Sequence, residues 1–196
     1  MLLTPEMHGI KPMPLANAVI DTETGISKEY RQLIADPKTR DAWLHSAANE
    51  FGRLAQGVKQ RVKGTNTIRF IAHTQVPAGR TVTYARFCAN VRPQKEETNR
   101  CRITVGGDRI DYAGKVSTKT AGLATIKLLL NSVISKREAE FMTADVKNFY
   151  LNTPLERPEY MRIPIKLIPQ EIIDEYNLLP LVHKDYVYVE INKGMY

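Results

Sequence analysis

The sequence predicts a mixed α+β protein, on two long helical patterns and a set of short β-rich runs placed between and after them. The helical patterns cover 36–54 and 117–137, and the main β-rich runs are 67–76, 81–92 and 100–105. A chain of 196 residues, 43% hydrophobic and 25% charged, is long enough and apolar enough to bury a core.

Residues 1–36 read as a lead-in, because 1–27 contain Pro, Gly and Thr with weak periodicity. The opening MLLTPEMHGIKPMP has no basic segment followed by an apolar run, so no secretory leader is expected. The first helix is predicted over DPKTRDAWLHSAANEFGRL (36–54). Asp36 is a good N-cap and Pro37 suits the first helical position. Trp43, Ala47, Phe51 and Leu54 recur at helical spacing and form one apolar stripe, with Leu44 and Ala48 beside it. The runs TIRFIAHTQV (67–76) and TVTYARFCANVR (81–92) are joined by Pro77-Ala78-Gly79-Arg80, which predicts a hairpin between them. A polar loop, 93–99, leads to a strand at 100–105 that stops at Gly106-Gly107. Two glycines can cradle a phosphate or simply turn the chain, and here the lysine and spacing of a nucleotide loop are missing.

STKTAGLATIKLLLNSVISKR (117–137) predicts a buried helix, with Ser117 or Thr118 as cap and Lys136 and Arg137 near the negative end of its dipole. Its apolar stretch, 123–134, is too short and interrupted to cross a bilayer, so no membrane partner is expected. Next, FMTADV predicts a strand by period-two alternation: Phe141, Thr143 and Asp145 on one face, Met142, Ala144 and Val146 against the preceding helix. EYMRIP reads as a short strand, PQEIIDEYN (169–177) as a short helix, and DYVYVEINKGMY (185–196) as a last strand left as an exposed edge.

Charge is unevenly placed. Residues 52–119 hold 14 of the 28 Lys and Arg but only 4 of the 21 Asp and Glu, a local excess of +10. Within it, 52–70 carries five basic residues, Arg53, Lys59, Arg61, Lys63 and Arg69, and no acid. Clustered cations gain affinity for a polyanion by releasing its condensed counterions, and a solvated basic face without a partner is the alternative. Cys88 and Cys101 are spaced as neither a metal knuckle nor a redox pair, which fits a reducing, intracellular setting.

A strand ending in a carboxylate, a basic β-rich segment and adjacent aromatics are the parts that metal-assisted phosphoryl transfer on nucleic acid requires. Here the sequence resembles a known family. TADVKNFYLNTPLERPEYMRIP is similar to the Asp-Val-Lys-x-x-Phe/Tyr-Leu-Asn, Leu-Glu and Tyr-Met-x-x-Pro series of the reverse transcriptase domain of copia-type long-terminal-repeat retrotransposons. DAWLHSAANEFGRL, the segment VPAGRTVTYARFCANVRPQKEETNRCRITVGGDRIDY, ATIKLLLNSVIS and EINKGMY resemble further stretches of that domain in the family's order.

The resemblance implies the fingers and partial palm of a right-hand polymerase: a fingers-like region over 37–140 and the start of the palm over 141–196. The family's Tyr-x-Asp-Asp turn is absent, so an N-terminal fragment, inactive alone, is expected. It also implies that Asp145 is a catalytic, metal-binding carboxylate, with the Val146 carbonyl as a second magnesium ligand in an enzyme using two ions. Arg102 and Arg100 would hold an incoming deoxynucleoside triphosphate, with Phe149 and Tyr150 at its sugar. Solvated strand arginines and a core tyrosine are the plainer readings of Arg100, Arg102 and Tyr150. The implied partners are an RNA template, a DNA primer, deoxynucleoside triphosphate and the rest of a Pol polyprotein, in the cytoplasm, within a virus-like particle, or in the nucleus. A decayed relic that only binds nucleic acid, and an unrelated basic α+β domain, are the rival expectations.

Overall fold

The computed structural model describes residues 19–21, 23–110, 120–144, 146 and 148–195. The chain divides into two compact units, Met1–Ile110 with Tyr150–Tyr196, and Asp111–Phe149. In chain order the larger unit opens with β1 (Val19–Ile20) and β2 (Ser27–Lys28), paired antiparallel, then α1 (Tyr30–Ala35) and α2 (Arg40–Leu54). A second small antiparallel pair follows, β3 (Gly57–Val58) and β4 (Val62–Lys63), then β5 (Ile68–Ile71), β6 (Val82–Val91) and β7 (Asn99–Val105). The smaller unit contains α3 (Leu123–Ser135). The chain re-enters the larger unit through β8 (Pro154–Pro164), α4 (Gln170–Glu175) and β9 (Tyr186–Lys193). The fold is mixed α+β, as the sequence predicts.

Five strands form one sheet in the order β5-β9-β8-β6-β7. β6 changes partner along its length: Val82–Tyr84 run parallel to Tyr160–Arg162 of β8, and Ala85–Val91 run antiparallel to Asn99–Val105 of β7. The main core joins Ala48, Phe51 and Leu54 of α2 to Ile68, Ile103, Met161, Ile163, Val187, Val189 and Ile191 of the sheet and to Ile172 and Ile173 of α4. A second cluster gathers Tyr30, Leu33, Trp43, Ala47, Ala89, Cys101 and Leu167, with the Tyr30 and Phe87 rings stacked 4.6 Å apart. The expected stripe of Trp43, Ala47, Phe51 and Leu54 is therefore the buried face of α2.

Several expectations are corrected. Asp36 does not cap α2; Thr39 occupies that position, and Asp36 closes α1. Its carboxylate accepts the Lys38 N–H at 3.0 Å and forms an ion pair with Lys28, so the Asx turn that its side chain favours lies between two helices. The expected lead-in instead contains a helix, α1, whose six residues are too few to show a helical period.

The run 67–76 does not pair with 81–92. β5 pairs with β9, Ile68 opposite Ile191, and β6 forms its hairpin with β7. The reason lies in β9: Val187, Tyr188, Val189 and Ile191 are all buried, so this strand is satisfied only with a neighbour on each side. It is thus an interior strand between β5 and β8, not an exposed edge.

In the smaller unit, α3 forms inside the predicted range with Gly122 at its N-cap, and Ser117 and Thr118 lie outside the described residues. None of its residues is buried, so the expected buried helix is not observed. Residues 141–144 and 146 are not in a strand, and Phe141, Met142, Ala144 and Val146 are exposed. A strand exists by pairing, and the described residues of this unit supply no second strand to pair with.

Candidate nucleic-acid interface

The basic segment is built around the end of α2. Glu50 lies on the buried side of that helix, fully shielded from solvent, with Arg53 one turn on. The Glu50 carboxylate accepts a hydrogen bond from Arg53 and forms an ion pair with Arg100 of β7 at 2.9 Å. Arg100 donates its other terminal nitrogen to Glu97 at 2.7 Å, in the turn between β6 and β7, and Arg92 donates to the Glu97 backbone carbonyl at 3.2 Å. Burial and the neighbouring Arg100 charge hold Arg92 below the ordinary arginine range. Glu97 sits below the ordinary carboxylate range: burial works to raise it, and the Arg100 and Arg53 charges outweigh that. Glu50 Oε1, Arg92 Nε and Arg100 Nε have no hydrogen-bond partner among the described residues.

A second cluster sits on the β3–β4 hairpin. Both terminal nitrogens of Arg61 meet the Glu171 carboxylate at 2.6 Å, Lys59 reaches it at 3.0 Å, and Arg61 Nε donates to Asn49 of α2 at 2.7 Å. The Arg61 hydrogen bonds, with Lys59, bring Glu171 down to about 2. The hairpin backbone is pinned independently of charge. Tyr176 donates its hydroxyl to the Gly57 carbonyl and accepts the Gln56 N–H at 3.1 Å. Gly52 and Gly64 permit the close approach: a Cβ at Gly64 would lie 2.2 Å from the Ala55 carbonyl oxygen, and one at Gly52 2.5 Å from Val58.

Four of the five basic residues of 52–70 are therefore paired with carboxylates outside the segment: Arg53 with Glu50 and Glu97, Lys59 and Arg61 with Glu171, Arg69 with Glu190. Arg69 and Glu190 stand directly opposite each other across β5 and β9. Lys63 is exposed on β4. Spacing could not reveal Glu171 or Glu190, since Arg61 and Glu171 are 110 positions apart and Arg69 and Glu190 are 121 apart, whereas Glu50 stands three residues before Arg53 on one helix.

The residues carried over by resemblance are spread over both units. Arg102 is exposed on β7, opposite Cys88, while Arg100 is buried in the network with Glu50 and Glu97. Tyr150 is 62% exposed at the start of a 3-10 turn in the larger unit, and its carbonyl accepts the Thr153 N–H at 3.0 Å. Phe149 and Val146 are exposed in the smaller unit, where the Val146 carbonyl accepts the Phe149 N–H at 3.3 Å. Asp145 lies outside the described residues. Among the described residues no group of three His, Cys, Asp or Glu could hold a metal ion, and no helix is long and apolar enough to cross a membrane.

Comparison with protein-family models, with curated proteins and with solved structures finds no match to this chain.

Proposed function

We propose that this chain carries the fingers and the first palm residues of an RNA-directed DNA polymerase of the copia-type retrotransposon class. The single observation that carries the reading is the run 143–164, with its Asp-Val-Lys-x-x-Phe/Tyr-Leu-Asn, Leu-Glu and Tyr-Met-x-x-Pro spacing. In this reading Asp145 and the Val146 carbonyl hold magnesium, Arg102 faces the triphosphate, and Tyr150 flanks the sugar. Magnesium, when bound, would stabilise the attacking and leaving oxygens of nucleotidyl transfer. The exposed cations of the 52–70 segment contact the phosphates of an RNA template and DNA primer. The carboxylates that complete the metal site belong to the remainder of a Pol polyprotein, since the chain contains no Tyr-x-Asp-Asp.

The test is primer extension on an RNA template by a full-length protein that includes this chain. Template-dependent, magnesium-dependent synthesis is expected, with Asp145→Asn abolishing it because an amide loses the charge that holds the cation. The 196-residue chain alone is expected to extend nothing. Absence of synthesis by the full protein, or an Asn variant that keeps its rate, refutes the proposal. Nucleic-acid binding without synthesis would leave the relic as the reading.

A further inference from the structure

The β3–β4 hairpin and α4 border an open groove of about 450 Å³, lined among others by Gln56, Lys59, Gln60, Lys63, Glu175 and Tyr176; Arg61 and Glu171 are not part of that lining, and Lys59 joins the groove to them. Three cations stand on this short hairpin, Lys59, Arg61 and Lys63, and Glu171 occupies two of them. We propose that this groove binds the sugar–phosphate backbone of a nucleic-acid strand, and that Glu171 is a latch which the strand's phosphates displace from Lys59 and Arg61. The inference rests on the nucleic-acid part of the reading above.

Three observations carry it. First, the latch is not needed to hold the hairpin in place. The Tyr176 bond to the Gly57 carbonyl, the Gln56 N–H bond and the close contacts at Gly52 and Gly64 fix the backbone without it. Lys59 and Arg61 can therefore change partner by side-chain rotation alone. Second, the latch is open to solvent: the side chains of Lys59, Arg61 and Glu171 are 61%, 28% and 20% exposed. An incoming phosphate replaces one anion by another without burying an unpaired charge, and the released Glu171 remains hydrated. Third, Arg61 keeps a second anchor, since its Nε donates to Asn49 while both terminal nitrogens face Glu171. That leaves a planar fork, preset for a two-oxygen anion, carboxylate or phosphate alike. Lys63, on the strand paired with Gly57–Val58, is the cation outside the latch that begins the contact. The Arg61 bonds keep Glu171 ionised throughout the neutral range, so competing phosphate opens the latch and protonation does not.

The test uses the full chain with a fluorescein-labelled RNA–DNA hybrid and, separately, labelled oligothymidylate, with affinity read by anisotropy across a salt series. Glu171→Gln should bind more tightly at low salt. Because wild-type binding displaces the latch, the Gln variant should gain affinity with an unchanged log–log salt slope, and Lys59→Met/Arg61→Met should lower the wild-type slope by about 1.8 on the hybrid and about 1.4 on oligothymidylate, at about 0.9 and about 0.7 per phosphate. A slope that steepens by those amounts in Glu171→Gln would mean that wild-type binding leaves both cations latched, and it overturns the displacement. The Gln substitution should have no effect in the Lys59→Met/Arg61→Met background. The double Met variant also serves as the readout should Glu171→Gln fold poorly.

Wild-type binding with unchanged affinity in Glu171→Gln overturns the latch and leaves the nucleic-acid reading standing. So does an unchanged slope in the double Met variant combined with an unchanged slope in Glu171→Gln. No binding by either the wild type or the Gln variant overturns both.

Discussion

Glu50→Gln should be among the most costly single substitutions of near-identical shape in this protein. The Glu50 carboxylate is wholly buried and is shared by Arg53 and by Arg100, whose own side chain is 8% exposed. An amide of the same shape removes the charge and leaves Arg100 buried with Glu97 as its remaining acid. Breaking a buried ion pair by removing one partner costs about 3–5 kcal/mol. The surviving Glu97 contact places Glu50→Gln near the lower end, about 3 kcal/mol. Against a total stability of about 5–15 kcal/mol, that is a fifth or more.

Trp43 is the single tryptophan and is 2% exposed in the cluster beside α1, so its fluorescence reports unfolding of the larger unit. In urea the midpoint should fall by about 1–3 M, given slopes of about 1–3 kcal/mol per molar. Arg69→Ala, which breaks an ion pair with the arginine side chain 59% exposed, serves as control and should cost about 0–1 kcal/mol. Glu50→Gln/Arg100→Met should recover part of the loss, since no orphaned charge remains. If the Gln variant unfolds no earlier than the Arg69 control, or the double variant shows the full sum of two losses, the network does not hold the β6–β7 hairpin to α2 as argued.

Two further outcomes test the packing and the titration. Gly64→Ala should cost about 1–3 kcal/mol in the same urea assay, because the new methyl meets backbone that has no rotamer to give; Gly107→Ala, where nothing lies within 4 Å, should stay within about 0.5 kcal/mol. His183 is stacked on His73 with ring centroids 3.9 Å apart, and burial first, then the His73 charge, lower its pKa. A lowered histidine pKa means that the unfolded chain takes up the proton first. Stability from this stack should therefore be present above the unfolded value of about 6.5 and be lost as pH falls from there through the lower folded value. An NMR titration that places His183 at or above the free-histidine value would refute this.

Local structure was legible wherever a few neighbouring residues decide it. The α2 stripe, the strand entering Gly106-Gly107, the short helix after Pro169 and the strand around Tyr160–Pro164 all depend on periodicity or turn chemistry within a window of one or two turns. Asp36 is the local exception, since an Asx turn and an N-cap share one signature and only the following φ and ψ separate them. At the candidate interface the sequence located the cations but not their carboxylates.

What the sequence by itself determined is the α+β class, the helical or extended character of stretches such as α2, β7 and α4, and the basic excess of 52–119, because helix periodicity, turn residues and charge are properties of contiguous residues. What only the tertiary structure decided is who meets whom. β9 takes the interior of the sheet between β5 and β8, and Glu171 and Glu190 pair with Lys59, Arg61 and Arg69, three of the five cations of 52–70. Those pairings follow from where the chain returns after tens of residues to bury β9 on both sides, and no local window of sequence contains that return.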